Sequence, residues 1–330
     1  MEIVKLDLKD RKLLYELDKD SRQSNSQLGK KIRLNKNTVN YKIRRLEKEG
    51  VILGYYPVID SSKLGYFLIR SYLKFFNTTK VKEKEIVDWL VKDKRVGVVA
   101  RVDTIYDLTL MVPVKDIYEF DKFWIDFKKK YRKYFWGERV DIFSGVYHYK
   151  RKYIINKKEP EDYEYFGSKE ILEHDELDME ILRILSKNAK TPLIDIAEKL
   201  KSPERTISFR IKKLEKKKII QGYRVNINLA KIGYEYFKVN IILNNMEDYD
   251  KLFSYTNNHP NIIYYDKTLS NYDFEIDVEI ESKEKLLELL ADIKQKFHVR
   301  NIEILSFKEY YKLELIPEGN ATNEKPKKIK

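Results

Sequence analysis

Apolar positions recur at helical spacing in three short blocks near the start of the chain, and the same three blocks return 168 positions later. Leu13, Leu14 and Leu17 cover one face of a first helix, as Ile181, Leu182 and Leu185 do in the copy. In the second block Leu28, Ile32 and Leu34 face inward behind Ser24 as cap. The copy, TPLIDIAEKL, has Thr191 as cap and Pro192 in the first turn. The third block opens at Asn35 in one copy and at Ser202-Pro203-Glu204 in the other, cap then proline then acid. At 100° per residue Val39, Ile43 and Leu46 fall within about 60° of arc, as do Ile207, Ile211 and Leu214. Each third helix therefore buries one stripe and projects the opposite arc into solvent.

Further along, apolar or alternating runs predict strands at residues 67–75, 96–102, 106–112 and 139–149, with helices at 81–92 and 116–133. The second half repeats that order, with strands at 237–243, 262–269, 274–281 and 299–307 and helices at 248–257 and 283–295. Direct matches support the repeat. TVNYKIRRLEKEGVILGYY at 38–56 aligns with TISFRIKKLEKKKIIQGYR at 206–224, and IYDLTLMV at 105–112 still resembles NYDFEIDV at 271–278 after a two-residue shift. The chain reads as one unit written twice. Between the copies, Pro160, Gly167 and dense mixed charge mark a linker at 156–173, whose Tyr163, Tyr165 and Phe166 are expected to pack down. The polar, basic end at 318–330 reads as a disordered tail.

Composition narrows the chemistry. Zero cysteines remove disulfides, thiolate metal sites and cysteine nucleophiles, and the four histidines (His148, His174, His259, His298) are too scattered for a metal cluster. No catalytic set, metal or cofactor is expected. Charges interrupt every apolar run before the roughly 18–20 residues a membrane span needs, and the start of the chain lacks the apolar core of a signal peptide. The expectation is a cytoplasmic, nucleoid-associated protein with no membrane partner.

The 66 Lys+Arg against 53 Asp+Glu leave a net charge of +13. Residues 30–48 carry +7 and residues 199–218 carry +7, so everything else sums to −1. Basicity confined to two equivalent helical segments is the footprint of two contacts with double-stranded DNA. The outward arc of the first third helix presents Lys36, Asn37, Thr38, Asn40, Tyr41, Arg44, Arg45 and Lys48, and that of the second presents Arg205, Thr206, Ser208, Phe209, Lys212, Lys213 and Lys216. Arg suits the guanine edge, Asn the adenine edge, and Lys the phosphates. Tyr41 and Phe209 admit two readings: contact with thymine methyls and sugars, or burial at a domain contact. Three short helices with a tight second turn, a basic outer arc and a following strand together match a winged helix-turn-helix.

The segment from Leu6 to Asp60 closely resembles the N-terminal domain of the Lrp/AsnC (feast/famine) transcription regulators. The resemblance rests on Asp10, Leu13 and Leu14, then Arg45-Leu46-Glu47, Gly50-Val51-Ile52 and Gly54-Tyr55. The second copy has Asp178, Ile181 and Leu182, then Lys213-Leu214-Glu215, Ile219-Ile220 and Gly222-Tyr223, with Lys218 in place of the first glycine. It implies an α+β chain. A winged helix-turn-helix at 1–60 leads into a ferredoxin-like βαββαβ (RAM-type) domain at 61–155, and a second pair follows at 174–228 and 229–317. Because such regulators pair as dimers, the duplicated chain is expected to form a covalent pseudodimer, with association into larger homo-oligomers left open.

In function, the resemblance implies a sequence-specific regulator that sets two recognition helices on successive major-groove faces. Their arcs differ, so the expected operator is an imperfect palindrome. A sequence-tolerant architectural DNA-binding protein shares every one of these features and stays open. The sirohaem decarboxylases of related fold depend on His- and Tyr-rich motifs that these bodies lack. The resemblance also brings in an amino-acid effector touching Asp107 and Asp273. Family members usually carry a glycine three residues earlier, where this chain has Thr104 and Ser270. Thr offers the required positive φ only at a cost, which argues for turn roles and against family-type effector binding.

Overall fold

The computed structural model describes residues 2–159, 161–314 and 316; the segment expected to form the tail, 318–330, lies outside them. The first unit runs α1 (Leu8–Lys19), α2 (Asn25–Ile32), α3 (Lys36–Lys48), β1 (Ile52–Ile59), β2 (Phe67–Phe75), α4 (Lys80–Lys92), β3 (Val98–Asp103), β4 (Leu108–Val114), α5 (Ile117–Tyr131) and β5 (Phe135–His148). A short strand, β6 (Glu164–Phe166), connects it to the second unit. That unit runs α6 (Glu176–Lys187), α7 (Leu193–Leu200), α8 (Glu204–Lys216), β7 (Ile220–Ile227), β8 (Glu235–Leu243), α9 (Tyr249–Asn258), β9 (Ile262–Leu269), β10 (Phe274–Ile280), α10 (Lys283–Lys296) and β11 (Val299–Leu313).

Local chemistry sets the helix starts. Asp7 with Asp10, Asp175 with Asp178, and Ser24 with Gln27 form reciprocal capping boxes, and Asn35 accepts from the Thr38 amide at 2.8 Å. Thr191 and Ser202 are not the caps expected. Pro192 and Pro203 occupy the cap positions in extended conformation, one residue nearer the helix, and α7 and α8 start without a side-chain cap bond. The Thr191 hydroxyl donates instead to the Asn188 carbonyl at 2.7 Å.

The wing strand of each head is single and finds its hydrogen-bonding partner in the other unit. β1 and β7 pair antiparallel, with Tyr55 opposite Val225 and Pro57 opposite Tyr223. Behind that ribbon, Leu13, Leu17 and Leu46 share one buried core with Ile181, Leu185 and Leu214. The two heads are thus a single packed body, since one strand and three short helices expose too much apolar face to stand alone.

The bodies follow the same logic. Their strand orders, β5-β2-β4-β3 and β11-β8-β10-β9, are both ferredoxin-like, and β5 pairs with β9 while β11 pairs with β3. Eight antiparallel strands therefore close into a ring, and neither unit keeps a free sheet edge there. β11 runs to Leu313 rather than ending at the expected 307, because residues 306–313 pair with β3 of the first unit. Likewise β5 begins at Phe135, where it pairs with Phe75 of β2. One face of each sheet packs on helices, with Ile69, Leu110 and Phe127 in one core and Val239, Ile276 and Leu290 in the other. The segment between the units is tied down. β6 pairs antiparallel with the end of β5, Tyr165 packs on Tyr147 at 4.6 Å and Phe166 on His148 at 4.5 Å, and the Gln221 side chain bonds the Tyr165 backbone on both sides.

Strand alternation turns charged residues into the ring. Buried Arg70 contacts Asp141 at 3.1 Å, Asp266 at 3.0 Å and Glu275, while Lys238 holds Asp266 at 2.7 Å and Asp277 at 2.8 Å, and Arg139 reaches Glu303 at 2.9 Å. Arg70 and Arg139 belong to the first unit, and Asp266, Glu275 and Glu303 to the second. Separating the units would break these cross-unit pairs, and inside the closed ring an ion left without its partner would cost several kcal/mol. The pseudodimer is thereby tied by chemistry as well as by the chain.

Candidate nucleic-acid interface

Each recognition helix is fixed by three contacts at equivalent positions. Val39, Ile43 and Leu46 anchor α3, and Ile207, Ile211 and Leu214 anchor α8, all nearly or fully buried. On the flank, the Lys42 ammonium donates to Asp7 at 2.7 Å and Asp10 at 2.9 Å, and the Arg210 guanidinium to Asp175 at 2.6 Å and Asp178 at 3.2 Å. The bond from Lys42 pulls the Asp7 carboxyl down to about 2. At the C-terminal end the Tyr55 hydroxyl donates to Glu47 and the Tyr223 hydroxyl to Glu215, each at 2.7 Å. Burial and the adjacent carboxylate push both phenols up. The acid of the Arg/Lys-Leu-Glu run and the tyrosine of Gly-Tyr thus form one clamp between helix and wing.

With those contacts made, the outer arc stands free. Lys36, Asn37, Tyr41, Arg44 and Lys48 are exposed on α3, as are Arg205, Phe209, Lys212 and Lys216 on α8. Thr38, Asn40, Thr206, Ser208 and Lys213 are half-exposed. Tyr41 is 66% exposed and Phe209 65%, which removes the domain-contact alternative for both rings. Arg45 differs from its neighbours. Its guanidinium sits 2.6 Å from buried Asp10 and 3.8 Å from Glu49, so it braces α3 against α1 rather than projecting outward. Sequence reasoning missed Lys42 and Arg210 as braces. The available signal was the 168-residue repeat of an acid pair followed by a cation at the same helical position.

Asp107 and Asp273 sit at the turn before the third strand of each body and close it. Asp107 accepts from the Phe75 amide at 2.8 Å and Lys74 at 3.0 Å, and Asp273 accepts from the Leu243 amide at 2.8 Å. Thr104 adopts φ +127 despite its branched side chain, held by a 2.9 Å bond from its hydroxyl to the Ile304 carbonyl of the other unit. Thr104 therefore takes the positive φ that threonine offers only at a cost, whereas Ser270 in the second unit does not. Among the described residues no group of three or more His, Asp or Glu could hold a metal ion, and no helix is long and apolar enough to cross a membrane. His148 is half-buried against Phe166 and Tyr264, and desolvation holds its ring well below the usual histidine range.

Two paired heads, each offering a basic, aromatic-bearing third helix, define a two-headed helix-turn-helix DNA-binding protein. Residues 6–52 and 174–221 both match the winged helix-turn-helix DNA-binding family HTH_24. The chain is 34% identical over 120 residues to the uncharacterized HTH-type transcriptional regulator PH0140 of Pyrococcus horikoshii, covering 36% of this chain and 75% of that one. It is 31% identical over 118 residues to the regulatory protein AsnC of Haemophilus influenzae, covering 36% and 79%. The chain belongs to the Lrp/AsnC family of transcription regulators, with the family unit duplicated in tandem. A crystal structure of the siroheme decarboxylase NirDL has the same overall fold, with TM-score 0.64 at 13% identity and 94% of each chain covered.

Proposed function

We propose that the chain is a sequence-specific transcription regulator that reads an imperfect palindrome with α3 and α8, and that it is not an enzyme. The observation that carries this reading is the pair of exposed, unequal arcs on one rigid head body. Asn37, Asn40 and Arg44 in the first stand where Arg205, Ser208 and Lys212 stand in the second. Arg44 and Arg205 suit guanine, Asn37 and Asn40 suit adenine, and Lys48, Lys212 and Lys216 suit phosphates. The ring of strands acts as the pairing scaffold, with ions in its interior paired across the two units. The turn-closing bonds of Asp107 and Asp273 favour structural roles for both over contact with an amino-acid effector.

Selection from random duplexes tests the reading. The expected product is an inverted repeat with unequal halves about one helical turn apart, roughly 34–36 Å. Perfect repeats would contradict the unequal arcs. A preference over random DNA below about tenfold would favour an architectural role, because specific regulators reach about 10³ or more.

A further inference from the structure

The first body carries a surface that neither the fold nor the recognition helices require. Residues 128–134, KKKYRKY, hold five cations and no acid where α5 turns into β5. Lys129, Lys130, Arg132 and Lys133 are exposed and make no ion pair within 4.0 Å among the described residues, whereas the nearby acids Glu83, Glu85 and Glu138 are already paired with Lys80, Lys82 and Lys128. Beside them two large rings face solvent, Phe76 at 58% and Trp136 at 68% exposure. Tyr134 joins the two segments. Its carbonyl accepts from the Phe76 amide at 2.8 Å, and Lys82 and Lys133 lie 5.2 and 5.1 Å from its ring.

The second unit shows that this is no demand of the architecture. There the Asn244 amide donates to the His298 carbonyl at 2.7 Å, which matches Asn244 to Phe76 and His298 to Tyr134, and Arg300 falls opposite Trp136. All three aromatics are replaced, and the preceding residues 292–297, DIKQKF, hold two cations and one acid. Helix-dipole compensation accounts for lysines in the last turn of α5 but not for Arg132 and Lys133 beyond it, nor for two exposed rings.

We infer that this patch binds an unpaired nucleic-acid strand. Stacking on exposed rings requires bases that are not already stacked in a duplex, and the adjacent cations neutralise the phosphates between them. A duplex would use the cations and leave Phe76 and Trp136 idle. A second copy of this basic chain would meet four unpaired like charges. The inference stands apart from the reading of α3 and α8, and the test keeps the two separate.

The full-length protein is titrated with a fluorescent fifteen-residue oligothymidine and, separately, with a random duplex. Phe76→Ala and Trp136→Ala should each weaken oligothymidine binding by roughly tenfold while duplex binding stays within about twofold, and Lys129→Glu with Lys133→Glu should weaken oligothymidine binding further. Lys48→Ala with Lys216→Ala, which remove phosphate contacts of the recognition helices, should show the reverse pattern. Retained duplex binding also reports that the patch variants fold. Unchanged oligothymidine binding in the Phe76→Ala/Trp136→Ala double variant would overturn the inference. So would stronger patch-dependent binding to vesicles containing anionic phosphatidylglycerol than to the oligonucleotide.

Discussion

Arg224, on the wing strand of the second head, closes onto Asp18, at the end of the first helix of the first head, with contacts of 2.7 and 2.9 Å and both side chains buried. Arg151 joins from the segment after β5, donating to Asp18 at 2.7 Å and to Glu279 of the second body at 2.8 Å. The four residues link both heads to the ring. Burial by itself would raise the Asp18 pKa, yet Arg224 and Arg151 outweigh it and hold the carboxyl below its ordinary value. The link is one-sided, because the equivalents of Asp18 and Arg224 in the repeat are Ser186 and Tyr56. A symmetric dimer of one subunit would have this pair twice or not at all.

Removing that acid leaves two buried guanidinium groups without their shared partner. Asp18→Ala should lower unfolding free energy by about 3–5 kcal/mol, read from urea denaturation. Ser186→Ala, which removes only a hydroxyl bonded to the Leu182 carbonyl, should cost less than about 1 kcal/mol. Equal costs at the two positions would show that the ion pair does not hold the heads to the ring.

The recognition-helix cations divide into two kinds by geometry. Lys48→Ala and Lys216→Ala should each reduce the salt slope of duplex binding by about 1, since each frees one phosphate contact. Lys42→Ala and Arg210→Ala should leave the slope unchanged, because those cations are engaged with the capping-box acids. A slope change with Lys42→Ala would mean that it leaves Asp7 and Asp10 to reach DNA.

Among the exposed cations, base reading is expected of the arginines. Arg44→Ala and Arg205→Ala should each cost about 1–3 kcal/mol at the selected site and relax preference in one half of it, a different half for each. Loss of equal size on selected and random duplexes would reassign both to backbone contact.

The interior of the ring carries a pH signature. Burial pushes the Asp277 carboxyl up to about 6, with Lys238 pulling the other way. An acid whose folded value is raised binds its proton better when folded. Its contribution is therefore complete below the unfolded value near 3.9 and fades as pH rises through about 6. The stability difference between the wild type and Asp277→Asn should shift against the wild type by about 1–3 kcal/mol between pH 4.5 and 7.5. His148 and His259, both held low by burial, titrate alike in the two proteins and cancel from the difference. A flat difference would place the titration elsewhere.

Local pattern determined the elements of this protein, because burial stripes and caps depend only on neighbours in sequence. The stripe Val39, Ile43 and Leu46 fixed which arc of α3 faces out, and the 168-residue repeat fixed that there are two such arcs. The same reasoning found β2 to its ends and ended β11 at residue 307, since the strand's last residues are specified by β3 of the other unit rather than by their own alternation. It placed Arg45 on the DNA face, because helical angle shows where a side chain starts and not that Asp10 lies within its reach. Only the tertiary structure decided that the wings pair with each other, that the strands close into a ring, and that Arg70, Lys238, Asp18 and Arg224 are buried. Those residues look like surface charges in sequence. They become interior only when two sheets and two heads enclose them, and the desolvation that makes each partner obligatory exists only in the assembled fold.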